Sequence, residues 1–224
     1  MPQIFSRGSN FVHYGIALIL VVILTIASLA VWATVTPKYT RVGYQPVQPV
    51  PFSHKIHSGQ LGLDCRLCHS FVETAAHSNI PTAQVCMNCH SQVQKENPKL
   101  APVREAFATG KPIQWVQIHK TPDYVYFNHA VHINRGISCV SCHGRVDQMD
   151  VVKHDQPQSM SWCLDCHREP ERHLRPLDKV FDLAWEPPTK KGQSVREAQF
   201  ELGNELKKQR GIHPPDSNCA GCHR

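Results

Sequence analysis

The longest run of apolar residues in the chain lies near its amino terminus. Residues 14–35 read YGIALILVVILTIASLAVWATV, and no charged residue occurs between Arg7 and Lys38. About 20 apolar residues suffice for a helix to cross a bilayer. A signal peptide has a shorter apolar region of about 7–15 residues, although Ala33 would suit its cleavage site. The pattern therefore predicts an uncleaved transmembrane anchor over 14–35, preceded by a cytoplasmic-side segment over 1–13.

The apolar pattern stops abruptly after the anchor. Residues 36–51, TPKYTRVGYQPVQPVP, contain four prolines, which predicts an extended linker between the membrane and a domain. An ordered strip that lies on a partner is the alternative. Trp32, Tyr39 and Tyr44 are aromatic side chains that suit the membrane interface at this end of the anchor.

The rest of the chain shows little regular alternation of apolar and polar residues and, with 17 prolines in the chain, predicts scarce sheet. One clear helix pattern occurs near the carboxyl end, where Ser194 can cap a helix that Gly211 would end. Residues 172–191 before it look extended, and they either wrap a partner subunit or form a loop packed on the haems of their own chain. The apolar face of the predicted helix consists of Val195, Ala198, Leu202 and Leu206.

All ten cysteines belong to five copies of one motif, Cys-x-x-Cys-His, which we number 1 to 5 in chain order. This motif is the attachment signature of c-type haem. Zinc sites and redox-active pairs also use Cys-x-x-Cys, but neither needs histidine directly after the second cysteine. The sequence therefore predicts five covalently bound haem c groups. The motifs comprise Cys65, Cys68 and His69; Cys86, Cys89 and His90; Cys139, Cys142 and His143; Cys163, Cys166 and His167; and Cys219, Cys222 and His223.

The net charge of +6 does not indicate a partner made of nucleic acid. Each haem brings two acidic propionates, which the lysines and arginines partly balance. The chain also lacks a basic run of the length found in nucleic-acid-binding arms. We therefore expect no nucleic acid partner.

Motifs 1 to 4 form an internal repeat. The phrase FSHKIH at 52–57 returns as FNHAVH at 127–132, an offset of 75 residues. Motifs 1 and 2 return as motifs 3 and 4 at offsets of 74 and 77 residues, and His77 returns as His154. Offsets that agree within three residues are the mark of a duplicated unit. The predicted domains are a first dihaem unit with connector, a second dihaem unit and a C-terminal extension with the fifth motif, over 52–126, 127–173 and 174–224.

The histidines outside the motifs are candidates for the second axial position of each haem iron. Electron-transfer haem takes histidine or methionine there, and ten histidines lie outside the motifs. Two histidines three positions apart leave the same side of a short helix and can serve two neighbouring haems. Met149 and Met160 are the methionine alternatives. The predicted distal ligands from the two phrases are His54, His57, His129 and His132.

Residues 51–224 provide only about 35 residues for each motif, which is little protein for a conventional core. We therefore expect the haems to form the core. The predicted fold class is mostly irregular, with short α-helices that carry the motifs and one N-terminal transmembrane helix. The aromatic residues expected to pack against the haems are Phe52, Phe127, Trp115 and Trp162.

The phrase F-x-H-x-x-H followed by the motifs resembles the small class III multihaem cytochromes of the c3/c7 group. The resemblance implies that the first histidine of a phrase ligates the next haem and the second ligates a later one. The implied pairs are His54 with His69, His57 with His90, His129 with His143, and His132 with His167.

The fifth distal ligand is less defined. In the c3/c7 group a histidine shortly before the second motif serves the last haem, which favours His154 for the haem of His223. His77, its repeat mate, and His119 are the alternatives. Two further histidines are weaker candidates: His173 and His213.

The whole chain resembles the pentahaem, membrane-anchored cytochrome c subunit of alternative complex III, a bacterial quinol oxidoreductase. The resemblance rests on the anchor and on PFSHKIHSGQLGLDCRLCH, QIHKTPDYVYFNHAVHINRGISCVSCHG and WCLDCHREPERHLRP. It implies an electron wire without catalytic residues of its own. Its neighbours would be an iron–sulfur subunit, polytopic quinol-binding subunits, and a monohaem cytochrome c or a terminal oxidase as electron acceptor.

Two rival classes stay open. A quinol dehydrogenase of the NapC/NrfH type would bind quinol itself, and a multihaem reductase would need a haem with an open position. The c3/c7-type repeat and the surplus of histidines argue against them. Because c-type haem is attached outside the cytoplasmic membrane, we expect residues 36–224 on the periplasmic side.

Overall fold

The computed structural model describes Ile4, residues 6–35 and residues 41–223. The chain divides into two compact units, Met1–Val42 and Gly43–Arg224. Residues 36–40 of the predicted linker, with Lys38 and Tyr39, lie outside the described residues.

The first unit is dominated by helix α1, Val12–Val35, which follows a 3₁₀ turn at Arg7–Phe11. The most apolar 18-residue window of the stretch Gly8–Thr34 has a mean hydropathy of 2.8, and none of this window is buried within the protein. The hydroxyl of Thr25 donates to the Val21 carbonyl at 2.8 Å, so this polar group is satisfied within the helix, as a bilayer would require. The predicted N-terminal apolar helix, a candidate for a membrane span, is therefore confirmed.

The second unit consists of short helices joined by irregular segments. Its described residues contain no β-strand, only two isolated antiparallel bridges, Val125 with His223 and Ile137 with Leu174. The predicted helical and irregular fold class is thus confirmed. The α-helices are α2 Cys65–Cys68, α3 Ala83–His90, α4 Ala101–Thr109, α5 His129–Asn134, α6 Val140–His143, α7 Met160–Arg168 and α8 Val195–Arg210, and a π-helical turn spans Lys55–Gln60. The 3₁₀ turns are Pro98–Leu100, Val146–Gln148, Pro170–Arg172, Leu177–Lys179 and Cys219–Gly221.

Protein-only packing is limited to small clusters. One contains Ile137, Leu174, Leu206 and Ile212, and Leu202 packs against it. A second cluster contains Val72, Ile133 and Val180, and the side chains that pack against it are Cys139 and Phe181. These clusters are too small to constitute a core for a unit of this length, which agrees with a unit built around large cofactors.

Helix α8 forms where its sequence pattern predicts it. The Ser194 hydroxyl accepts the Glu197 amide at 3.3 Å, and the Glu197 carboxylate accepts the Ser194 amide at 2.8 Å, which completes a capping box. Gly211 ends the helix with φ +58°, a left-handed conformation that favours glycine. The prediction for both ends of this helix is confirmed.

One face of α8 packs closely on the 3₁₀ turn Pro170–Arg172, directly after motif 4. Gly203 leaves no room for a Cβ atom because the Glu171 carbonyl occupies that space. The Lys207 amine donates to the buried Glu171 carboxylate at 2.9 Å. Helix α8 therefore braces the segment that joins motif 4 to the C-terminal part of the chain.

The two segments with open interpretations both pack on this chain. In 172–191, Leu174 and Val180 are buried, and the Val180 carbonyl accepts the Ser138 hydroxyl at 2.6 Å. This segment therefore makes contacts within its own chain.

The described end of the predicted linker also belongs to the haem-motif domain. The Gly43 amide donates to the His154 carbonyl at 2.8 Å, and the His154 amide donates to the Tyr44 carbonyl at 2.9 Å. The Gln48 side-chain amide pairs with the Val116 backbone in both directions, at 2.9 Å each. Residues 43–48 therefore form an ordered strip that contacts the same chain.

We predict that Gly203→Ala destabilises the second unit. Alanine in place of glycine in a helix normally stabilises by about 1 kcal/mol. Here the added methyl group would overlap the Glu171 carbonyl, and such overpacking costs about 1–3 kcal/mol. Chemical denaturation of the full chain, followed by circular dichroism, measures the change. The exposed neighbour Asn204→Ala is the control and should be neutral or stabilising; an equally stable Gly203→Ala protein would contradict the close contact.

We predict a pH-dependent contribution from Glu171. Burial raises the pKa of this carboxyl, but the Lys207 hydrogen bond, a backbone hydrogen bond and the Lys207 charge outweigh burial, so the pKa lies below its usual 4.5. A lowered pKa stabilises the fold above pH 4.5, and this stability is lost as the pH falls through the folded pKa. Glu171→Gln should therefore lower the free energy of unfolding at neutral pH by about 1–2 kcal/mol.

Urea titrations at neutral pH and well below pH 4.5 test this, and the difference between wild type and variant should vanish in acid. Glu201→Gln is the matched control, because Glu201 pairs with Lys190 at 2.9 Å on the exposed side of the same helix and such pairs contribute little. A Glu171→Gln effect that persists unchanged in acid would show that packing, rather than charge, accounts for it.

Candidate haem-binding sites

Each Cys-x-x-Cys-His motif forms one tight turn. In motif 1 the Asp64 carboxylate accepts the Arg66 amide at 2.8 Å and starts the turn. The His69 amide then donates to the Cys65 carbonyl at 2.8 Å. Residues at i, i+3 and i+4 share one helix face, so the turn presents both thiols and the imidazole to the same side.

The other motifs repeat this turn on different scaffolds. Motifs 3 and 5 have the same hydrogen bond from the histidine amide to the first cysteine carbonyl, at 2.8 Å in both. Motifs 2 and 4 lie inside α3 and α7, and Ser159 caps α7 by accepting the Trp162 amide. All ten cysteines are unbridged. Among the described residues, no group of three or more His, Cys, Asp or Glu side chains that could hold a metal ion is found.

Four motif histidines use Nδ1 to donate to a backbone carbonyl. Because a carbonyl only accepts, the proton lies on Nδ1 and the lone pair of Nε2 is left for a metal ion. Such hydrogen bonds also orient a ligating imidazole. The acceptors are Asn79 for His69 at 2.7 Å, Val93 for His90 at 2.9 Å, Pro215 for His167 at 2.8 Å and Tyr124 for His223 at 3.3 Å.

Three of the four histidines in the two F-x-H-x-x-H segments also donate a hydrogen bond from Nδ1 to a backbone carbonyl. His57 Nδ1 donates to the Ser53 carbonyl at 2.8 Å, and its repeat mate His132 donates to the Asn128 carbonyl at 2.7 Å. In both cases the acceptor carbonyl lies four residues before the histidine, so each segment orients its own second histidine. His129 Nδ1 instead donates to the carbonyl of Ala76, at 2.9 Å, in the loop between motifs 1 and 2.

In three predicted ligand pairs the two imidazole rings lie close together. The ring centroids of His57 and His90 lie 6.1 Å apart, those of His132 and His167 6.1 Å, and those of His129 and His143 6.4 Å with rings 7° from parallel. Two imidazoles that bind one metal ion through bonds of about 2 Å have centroids roughly 6 Å apart. The residues present therefore fit a bis-histidine haem iron at these three places.

The phenylalanine of each phrase separates its two histidines. Phe52 meets His54 edge-on at 4.8 Å and 90°, and it stacks on His57 at 4.4 Å and 26°. Phe127 meets His129 at 4.8 Å and 89°, and it stacks on His132 at 4.5 Å and 28°. The sequence repeat is thus also a geometric repeat, and the rigid ring directs its two histidines apart. Trp115 and Trp162 are half-buried.

His54 lies in an apolar environment that keeps it neutral. Burial, and then the neighbouring His69, His57 and His119, lower its pKa to about 4. Its Nδ1 is buried and has no hydrogen-bond partner. A neutral imidazole is what metal ligation requires, and the closeness of His54 to His69 agrees with the predicted fourth pair.

His119 and His154 gather around motif 3. The ring of His119 lies 4.3 Å from that of His143 and 5.3 Å from that of His154. Burial first, and then His119 and the other nearby histidines, lower the pKa of His143 to about 3. This cluster links the strip at 43–48 to motif 3 through the backbone of His154.

The fifth distal ligand stays a prediction. Two of its candidates, His154 and His119, pack beside His143, and the third, His77, interacts with His129. The ring contact of His223 is with Tyr124, at 5.6 Å. The structure therefore places all three candidates near motifs 1 and 3, whereas motif 5 lies against the segment at 124–126.

Sequence reasoning missed the backbone acceptors of the ligand histidines. The carbonyls of Asn79, Ala76 and Pro215 leave no trace in residue identity, because every residue has a carbonyl. One signal was available: Asn79 also donates its side-chain amide to the Cys68 carbonyl and accepts the Phe71 amide, a role suited to asparagine in turns.

The comparisons with known proteins point to multihaem c-type cytochromes. Residues 50–107 match the family "Cytochrome c7 and related cytochrome c", so the chain carries a cytochrome c7-like domain.

A curated relative extends this comparison. The chain is 38% identical over 100 residues to the menaquinone reductase, multiheme cytochrome c subunit, of Nitratidesulfovibrio vulgaris (strain Hildenborough). The matched part covers 44% of this chain and 47% of that protein. The chain therefore matches about half the length of this relative.

We predict that His129→Met raises the reduction potential of one haem, because a methionine axial ligand raises the potential relative to histidine. The His143 haem is the one expected to shift. A spectroelectrochemical titration of the full chain, combined with the visible charge-transfer band of methionine-ligated iron, measures it. Val131→Met, at an exposed position of the same segment that is not a ligand candidate, is the control. An unchanged titration of His129→Met would refute the ligand role.

Proposed function

We propose that this chain is a pentahaem electron-transfer subunit, anchored in the bacterial cytoplasmic membrane, of a respiratory complex that exchanges electrons with quinone. The carrying observation is the duplicated arrangement in which a phrase histidine faces a motif histidine at 6.1–6.4 Å. Each such pair would hold a haem iron through two histidines and would leave no open position for a substrate. The proposed role is therefore transfer of electrons rather than catalysis by this subunit itself.

Haem c supplies an iron that takes up and gives back one electron. The residues of this chain tether and orient it: the cysteines of each motif hold the porphyrin, and the histidines present Nε2 because Nδ1 is bound to a carbonyl. Phe52 and Phe127 keep the two ligands of each phrase at fixed angles. Fixed ligands reduce the rearrangement that accompanies a change of charge.

The proposed axial pairs follow the ring contacts where these exist. They are His57 with His90, His129 with His143 and His132 with His167, and burial of His54 beside His69 supports the fourth. For the fifth haem, at His223, we keep His154 as the candidate, with His77 and His119 as alternatives. Each pair is a proposal about ligation that spectroscopy of the loaded protein tests.

The proposed location follows from the chemistry of attachment. Because c-type haem is attached outside the cytoplasmic membrane, the second unit belongs on the periplasmic side and α1 anchors it as a single span. The partners we propose are an iron–sulfur subunit and polytopic quinol-binding subunits, with a monohaem cytochrome c or a terminal oxidase as acceptor. This composition corresponds to alternative complex III, in which electrons leave quinol.

A second candidate has the opposite direction of electron flow. The curated relative is named a menaquinone reductase subunit, which favours a complex that delivers electrons to menaquinone. Both candidates assign the same task to this chain, because an array of one-electron carriers transfers electrons either way. The direction depends on the potentials of the partners.

We predict that the isolated, haem-loaded subunit is not rapidly reduced by a menaquinol analogue, whereas the purified membrane complex is. Stopped-flow absorbance of the haem bands measures both rates. Rapid reduction of the isolated subunit would instead support a quinol dehydrogenase of the NapC/NrfH type. If only a reduced cytochrome c reduces the haems of the complex, and menaquinone reoxidises them, the reductase direction is correct.

Low-temperature EPR of the oxidised subunit provides an independent check. Low-spin signals alone are expected from bis-histidine iron. A high-spin ferric signal that persists in intact material would contradict a pure electron wire and favour a multihaem reductase with an open haem position.

A further inference from the structure

We infer that the five haem attachment motifs lie in the spatial order 2–1–3–4–5, with motifs 2 and 5 at the two ends where redox partners exchange electrons. This order differs from the order along the chain and rests on the proposed electron-transfer function. It follows from four links between neighbouring motifs, each made by side chains or backbone groups of this chain.

The first link joins motifs 2 and 1 through the phrase at 52–57. His57 faces His90 of motif 2 at 6.1 Å, and His54 lies near His69 of motif 1. Phe52 contacts both phrase histidines. The thiol of Cys68 also lies near those of Cys86 and Cys89, the two attachment cysteines of motif 2. One short phrase therefore spans two adjacent haem sites.

The second link joins motif 1 to motif 3. The thiol of Cys65 lies beside the thiol of Cys139, 74 residues later. The loop after motif 1 lies on α5: the Ala76 carbonyl accepts both the amide and Nδ1 of His129, at 3.0 and 2.9 Å. Val72 from this loop packs with Ile133 of α5. The two copies of the repeat thus meet through their first motifs.

The third link is the repeat mate of the first. His129 faces His143 of motif 3, and His132 faces His167 of motif 4. The thiol of Cys142 lies near those of Cys163 and Cys166. The phrase at 127–132 therefore bridges motifs 3 and 4 as its copy bridges motifs 1 and 2.

The fourth link joins motif 4 to motif 5 through Pro215. The Pro215 carbonyl accepts Nδ1 of His167 at 2.8 Å, and its ring packs so closely on Gly221 that a Cβ there would lie 2.8 Å away. The thiol of Cys163 lies near that of Cys222. Motif 5 is held from its other side by the bridge between Val125 and His223.

Exposure of the cysteines identifies the ends independently of these links. Cys89 of motif 2 and Cys219 of motif 5 are exposed, whereas the other eight cysteines are partly buried. A one-electron partner needs close approach to the haem edge, and the porphyrin edge follows its attachment cysteines. The partners that fit these two ends are one-electron carriers, a reduced haem or iron–sulfur protein as donor at one end and an oxidised carrier as acceptor at the other.

The test compares two variants at repeat-mate positions, His57→Met and His132→Met, in the full haem-loaded chain. Each should raise the potential of one haem, at motif 2 or motif 4, so that this haem is reduced first. Its added electron then lowers the potentials of adjacent haems by charge repulsion. Haem-methyl NMR signals followed through a redox titration resolve each haem separately.

The order 2–1–3–4–5 predicts that His57→Met lowers the potential of one other haem, because motif 2 is terminal, whereas His132→Met lowers two. If the haems instead followed the order 1–2–3–4–5, the haems at motifs 2 and 4 would each have two neighbours. Lowered potentials at two other haems in His57→Met would therefore overturn the inference. If either variant fails to bind a haem, a second measurement on the wild-type protein tests the same order. A crystallographic anomalous map at the iron edge should place the iron of motif 1 between those of motifs 2 and 3, and any other order refutes the proposal.

This outcome is separate from the proposed function. Menaquinol-dependent reduction of the complex tests the function whatever the haem order, and the iron positions test the order whatever the physiological donor.

Discussion

The two nitrogens of the imidazole ring have different tasks in this protein, and the haem sites depend on that division. Nδ1 donates to a backbone carbonyl in seven of the histidines that belong to motifs or phrases, so Nε2 is the nitrogen left for iron. A hydrogen bond to a rigid backbone also sets the plane of the ring. The backbone around each site is therefore part of the site, although no residue type marks it.

This dependence connects the haem sites to one another. His57 and His132 find their acceptors within their own phrases, but His129 depends on Ala76 and His167 on Pro215. A loop after motif 1 thus orients His129, the predicted distal ligand of the motif 3 haem, and a turn before motif 5 orients His167, the predicted ligand from motif 4. Loss of one site would disturb its neighbour, since the same backbone serves both.

The small apolar clusters position these backbone segments rather than forming a core of their own. Val72, Ile133 and Val180 hold the loop after motif 1 on α5. At the other end, α8 packs through Gly203 and Lys207 on the turn after motif 4. With so few buried apolar residues, the covalently attached haems would supply most of the buried surface of the loaded protein. Folding and haem attachment are then expected to be coupled.

The chemistry of this protein was determined by the sequence itself. The five motifs, the duplicated phrase, the apolar helix and the caps of α8 are local patterns, in which residues that act together lie within one or two turns. Ser194 and Glu197 form their capping box three residues apart, and the motif turns need only four-residue hydrogen bonds.

Tertiary structure decided which of these local units meet. The contact between Cys65 and Cys139 joins residues 74 positions apart, and nothing in either motif specifies the other. His154 illustrates the same limit: its place before motif 4 made it a candidate for motif 5, yet its backbone pairs with Gly43 and Tyr44 and its ring lies near His119 at motif 3. Residue identity reveals what a side chain can bind, but its neighbours depend on backbone contacts made between distant segments, which no spacing in the sequence encodes.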